Sequence, residues 1–145
     1  MTGAAPGAAV AALFAIAVVC FWSGLGPHDG IAYVNAALAW SENGPVLGET
    51  HWALRHLFVL PMAAGFRFFG ASEFTAILPN ILYAAGLVAI TYIYARRCLG
   101  AGAGFAAAAF VATSAFFVGL ALEVYIFGPE IFFGALAAWL FIEGL

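Results

Sequence analysis

Residues 26 to 56, GPHDGIAYVNAALAWSENGPVLGETHWALRH, form a polar island between long apolar runs. The island holds all three histidines (His28, His51, His56), three of the seven acids (Asp29, Glu42, Glu49) and one of the four basic residues, Arg55. A soluble domain of this length needs about a quarter of its residues charged to cover its surface. Here 8% are charged and 66% are hydrophobic, so the solvent this chain is patterned for is lipid. Trp22, Trp40, Trp52 and Trp139 fall near the ends of apolar segments, where interfacial aromatic belts favour them. The net charge of −3 arises from so few groups that it points to no nucleic-acid partner, and no polybasic stretch is present. Cys20 and Cys98 read as two free thiols rather than a disulfide framework. The start, MTGAAPGAAV, lacks the basic region of a removable signal, so the first apolar run reads as a retained helix.

The expected fold class is all-α, a polytopic membrane helix bundle whose outer first loop carries juxtamembrane helices. Residues 4 to 25 supply a first span of about the twenty residues a hydrocarbon core requires. Within the loop, apolar Ile31, Val34, Ala37 and Leu38 predict a short amphipathic helix ending near Trp40, followed by a turn from Ser41 to Pro45. Residues 57 to 69 are apolar but short, flanked by Arg55 and His56 and interrupted by Arg67, which favours an interfacial helix over a span. Further spans are expected over 74–94, 104–122 and 125–145, leaving 26–70 as the outer loop and juxtamembrane region of one domain. With 57–69 at the interface, the amino terminus and Arg96-Arg97 are cytoplasmic, as the positive-inside tendency requires. Loop 26–56 and Glu123 then face outward from the cell (inner) membrane. The chain ends within an apolar stretch, AAWLFIEGL, which suggests the amino-terminal part of a longer enzyme that is inactive without the remainder.

Asp29 follows the end of the first apolar run, and Tyr33 lies one helical turn beyond it. A carboxylate at a dry boundary has the environment of a general base; the same residue also suits an N-cap of the 31–40 helix, and the two roles are compatible. Glu49, His51 and His56 combine ligand types suited to a divalent metal, although E-x-H-x4-H is no established metal spacing and solvated loop residues would look the same. Arg55 beside His56 could receive a phosphate or snorkel to the headgroups. Glu123 and Glu130 flank an apolar turn at membrane depth; Glu130, next to Pro129, also suits a helix amino terminus.

The order of these pieces resembles the polytopic GT-C glycosyltransferases that use lipid-phosphate sugar donors, in particular the protein mannosyltransferase and aminoarabinose transferase group. The resemblance is carried by Asp29-Gly30-Ile31-Ala32-Tyr33, the surface helix Ala36 to Trp40, Gly44, His51, Arg55 to Pro61, Phe68-Phe69-Gly70, and Tyr94-Ala95-Arg96-Arg97. Gly30 stands where many members have a second acid, and Pro61 is the only proline of the usual basic, proline-rich stretch. The resemblance implies transfer of a hexosyl or pentosyl group from a polyprenyl-phosphate donor to an acceptor hydroxyl at the outer face. Asp29 would deprotonate the acceptor, and Arg55 or His56 would hold the donor phosphate. Tyr33 and Glu130 (less directly Glu123) would complete the substrate site, and any divalent metal would sit near Glu49 and His51. The partners so implied are membrane lipid, the lipid-linked donor and the remaining part of the same enzyme. A competing reading, a small membrane transporter, requires polar groups at the bilayer midplane, for which Asn80 beside Pro79 is the strong candidate.

Overall fold

Serine and glycine set the limits of the longest helix. Ser72, in an extended conformation, accepts a hydrogen bond from the Thr75 backbone N–H at 3.1 Å and so satisfies one of the donors a helix start leaves unpaired. Glycines at 70 and 100, with φ of +83° and +93°, let the backbone turn out of a helix where a side chain would be strained. The computed structural model describes residues 4–24, 30–44, 50–51 and 53–144. Among them are seven helices and no strand: α1 (Ala4–Phe21), α2 (Gly30–Asn43), α3 (His56–Phe69), α4 (Glu73–Leu99), α5 (Ala101–Thr113), α6 (Ala115–Leu122) and α7 (Phe127–Glu143). The all-α helical bundle expected from the sequence is what forms.

Helix α4 is central and packs against α3, α5, α6 and α7, while α2 lies on α3 and α1 on α5 and α6. The closest approach is between α4 and α5. A Cβ at Gly104 would stand 2.7 Å from the Arg96 Cβ and 2.9 Å from its backbone, so only glycine fits there. Ala108 and Ala112 continue this buried small-residue face, the device by which membrane helices bring their backbones together. Helix α4 is long and apolar enough to cross a bilayer; α5 and α6 qualify only as a pair.

Residues 104–122, expected as one continuous helix, are two, bent by 57° at Ser114. The Thr113 hydroxyl donates to the Ala109 carbonyl at 2.8 Å, and such back-bonding competes with the helical ladder and bends helices. Helix α3 spans about 20 Å at about 1.5 Å per residue, well short of a ~30 Å core. It buries Phe58, Val59, Met62 and Phe66 and leaves Leu57, Leu60, Arg67 and Phe68 exposed. Pro61 has no N–H to offer the Leu57 carbonyl one turn back. The Tyr83 hydroxyl of α4 donates to that carbonyl instead, at 2.6 Å, so the proline's gap becomes a tie between helices.

Candidate functional site

Four ends meet at one pole of the bundle: the starts of α2, α3 and α7 and the turn after α6. A Cβ at Gly30 would lie 3.0 Å from Val124, which sets the start of α2 against that turn. Between α3 and α7 a cavity of about 380 Å³ opens, lined by Arg55, His56 and Glu130 together with apolar walls from Leu57, Phe58 and Phe133. Residues 74 positions apart in the chain thus share one pocket, a meeting that spacing alone could not show.

Arg55 is the N-cap residue of α3, and its carbonyl accepts from the N–H groups of Phe58 (2.9 Å) and Val59 (3.0 Å). Its side chain lies over the Tyr33 ring, 5.6 Å from the centroid, and its Nη1 donates to the Tyr33 hydroxyl. Tyr33 is itself wholly buried, with the Phe58 ring edge-on at 4.9 Å and 86°. Tyr33, expected among the substrate contacts, therefore reaches the pocket through Arg55. The His56 ring meets the Trp40 ring edge-on at 5.6 Å, and its Nε2 is buried with no hydrogen-bond partner among the described residues. A buried imidazole nitrogen left this way is costly unless a ligand satisfies it. Glu130 lies in the first turn of α7, where the helix dipole favours a carboxylate.

Residues 56–145 match the family model of the dolichyl-phosphate-mannose-protein mannosyltransferases. The chain belongs to that family. No curated protein and no solved structure matches it. The dolichyl-phosphate-mannose-protein mannosyltransferases are membrane-integral glycosyltransferases that draw on a lipid-linked sugar donor, in accord with the resemblance carried by the sequence motifs. The matched part of this mannosyltransferase-family chain contains His56 and Glu130 and lies after Asp29, Tyr33, Glu49, His51 and Arg55.

Asp29 and Glu49 lie outside the described residues. His51 is exposed in a turn that the Ala53 N–H closes onto the Thr50 carbonyl at 3.0 Å. Among the described residues no three His, Cys, Asp or Glu side chains group as metal ligands would. Asn80, the residue the transporter reading required at the midplane, has a different task. It is fully buried, and its Nδ2 donates to the carbonyls of Glu123 (2.6 Å) and Tyr125 (2.8 Å), clamping the turn that leads into α7. Sequence reasoning missed this support for the pocket. Gly128, where a Cβ would stand 2.4 Å from the Asn80 Oδ1, is the one local sign of it.

Proposed function

We propose that this protein transfers a sugar from a polyprenyl-phosphate donor to an acceptor hydroxyl at the outer membrane face, with the donor phosphate received in the α3–α7 cavity. The observation that carries the reading is the pairing of Arg55 and His56 at the start of α3 inside an apolar-walled pocket, opposite Glu130. An amphiphile with a charged, sugar-bearing head suits such walls better than a free sugar nucleotide does. Charge-assisted contacts from Arg55 to phosphate oxygens are strong, and the apolar surroundings strengthen them further. The unpartnered Nε2 of His56 gains a partner from the same ligand.

In the reaction, the acceptor oxygen forms a bond to the anomeric carbon as the bond from that carbon to the phosphate oxygen breaks. The electron pair leaves with the polyprenyl phosphate, where Arg55 and His56 face the developing charge. The acceptor's proton passes to Asp29, the acid that directly precedes Gly30. Glu130 accepts hydrogen bonds from sugar hydroxyls. Glu49 and His51 would hold a divalent ion, which when bound would neutralise phosphate charge; no step here depends on it.

The test is Asp29→Asn in the membrane-embedded enzyme. Asparagine caps a helix about as well as aspartate, so the fold persists, while loss of a positioned base slows transfer by roughly 10² to 10⁴. Normal transfer by this variant would remove Asp29 from the mechanism. If Asp29→Ala alone impaired the protein, through stability, capping would be the residue's whole role.

A further inference from the structure

An apolar groove of about 690 Å³ runs between α1 and α4, walled by Val10, Phe14 and Val18 on one side and Ile81, Val88 and Ala89 on the other. The two helices are antiparallel, because a Cβ at Gly24, just beyond α1, would lie 3.7 Å from a Glu73 carboxylate oxygen in the first turn of α4. The Gly7 end of the groove is therefore directed to the Arg96 end of α4. There Tyr92 and Ile93, the last residues of the groove, also line a second cavity of about 360 Å³ with Arg96 and Arg97. The two spaces share these two side chains as a wall, so the groove ends beside two guanidinium groups. This mouth is formed by the last turns of α4, far along the helix from the end that packs on α3.

Charge at the mouth is unevenly held. Arg97 pairs with Glu143, which also accepts from the Trp139 indole at 3.2 Å. Arg96 donates to the neutral Tyr92 hydroxyl at 3.3 Å and lies 5.9 Å from that ring's centroid, and no carboxylate pairs with it among the described residues. The mouth therefore keeps a net positive charge. Length fits as well. The α1 wall from Gly7 to Val19 is about 18 Å long at about 1.5 Å per residue, against the ~15 Å that one leaflet contributes to a ~30 Å core.

We propose that this groove binds one anionic phospholipid, its acyl chain between α1 and α4 and its phosphodiester at Arg96. The site is separate from the donor cavity, shares no residue with it, and needs only the membrane setting of the family. It would hold α1, which touches α4 sparsely, in register with the rest of the bundle.

The purified, delipidated protein would be titrated in detergent with dioleoyl phosphatidylglycerol and with dioleoyl phosphatidylcholine, retained lipid being read by native mass spectrometry. The expected result is a preference for phosphatidylglycerol of roughly fivefold, the weight of one basic residue's attraction to an anionic lipid. Arg96→Gln should erase that preference, and Arg67→Gln, on α3, should leave it intact. Filling the groove from either wall, by Ala89→Trp or by Ala15→Trp, should abolish retention of both lipids at unchanged helix content. Equal retention of the two lipids, or a preference that survives Arg96→Gln, would overturn the proposal. So would competition by glycerol phosphate, which has no tail. A photo-cross-linking side chain at Ala89 that captures only protein would assign the groove to another helix and end the lipid reading.

Discussion

Both poles of the bundle lay arginine over an aromatic ring, and they do so to different ends. At the α3 pole Arg55 rests on Tyr33, a ring with no solvent exposure, at the edge of an apolar-walled cavity. At the opposite pole Arg97 rests on Trp139 at a similar distance, 5.9 Å, but its side chain and that of Glu143 are 55% and 43% exposed. The same contact is a fixed mount in one place and a solvated clasp in the other. Burial decides which. In a low-dielectric pocket the position of a charge is worth much to a ligand, whereas at an exposed site water and salt screen it.

Substitutions at four positions separate the poles. Arg55→Gln should lower turnover at limiting donor by roughly 10- to 100-fold, since a charge-assisted hydrogen bond contributes about 1.5–3 kcal/mol. Donor titrations measure it, and an unchanged apparent affinity would detach the cavity from the phosphate. Asn80→Ala removes two donors from the α6–α7 turn and should destabilise the protein by about 2 kcal/mol, read as a lower melting temperature. Asn80→Asp, which offers the two carbonyls no N–H, should be at least as damaging. Tyr33→Phe keeps the ring and loses the hydroxyl that orients Arg55; donor affinity should fall by less than tenfold, because the Arg55 guanidinium itself remains to meet the phosphate. A loss as large as that of Arg55→Gln would instead mean that Tyr33 touches the substrate itself. Arg97→Gln should leave both turnover and melting temperature unchanged, as expected of an exposed ion pair. If it impaired transfer, the contrast between the poles would collapse.

The helices were legible where the sequence carries explicit punctuation. The short run after Arg55 forms a helix of the expected length, whereas α4 runs on to Leu99, five residues beyond the expected span 74–94. The break at Ser114 was not legible, because Thr113 and Ser114 are only mildly polar within the apolar run 104–122, and the same back-bonding at Thr91 leaves α4 unbroken. In the site, the chemistry of Arg55, His56 and Glu130 was readable by residue type and by resemblance, but their convergence is a tertiary fact. Tyr33 carried no sign in the sequence that it would lie beneath Arg55. Asn80 was noticed for the right reason, a polar group among apolar ones, and its partners were invisible because they are backbone carbonyls more than forty residues away.

That separation bears on the order in which the protein is assembled. Helix α4 is synthesised before the turn it grips, so the Asn80 amide enters apolar surroundings with both of its eventual acceptors still to be made. An amide without partners in hydrocarbon costs several kcal/mol, a penalty that lasts until residues 123 to 125 emerge. Closing the turn is thus rewarded at the moment α7 begins to form, and Glu130 is carried to Arg55 and His56 in the same event. A nascent chain halted between α5 and α7 should remain accessible to chaperones or proteases around Asn80, then lose that accessibility abruptly once Tyr125 has left the ribosome. The α3–α7 cavity, on this account, closes only as α7 begins to form and is locked by a residue made well before it.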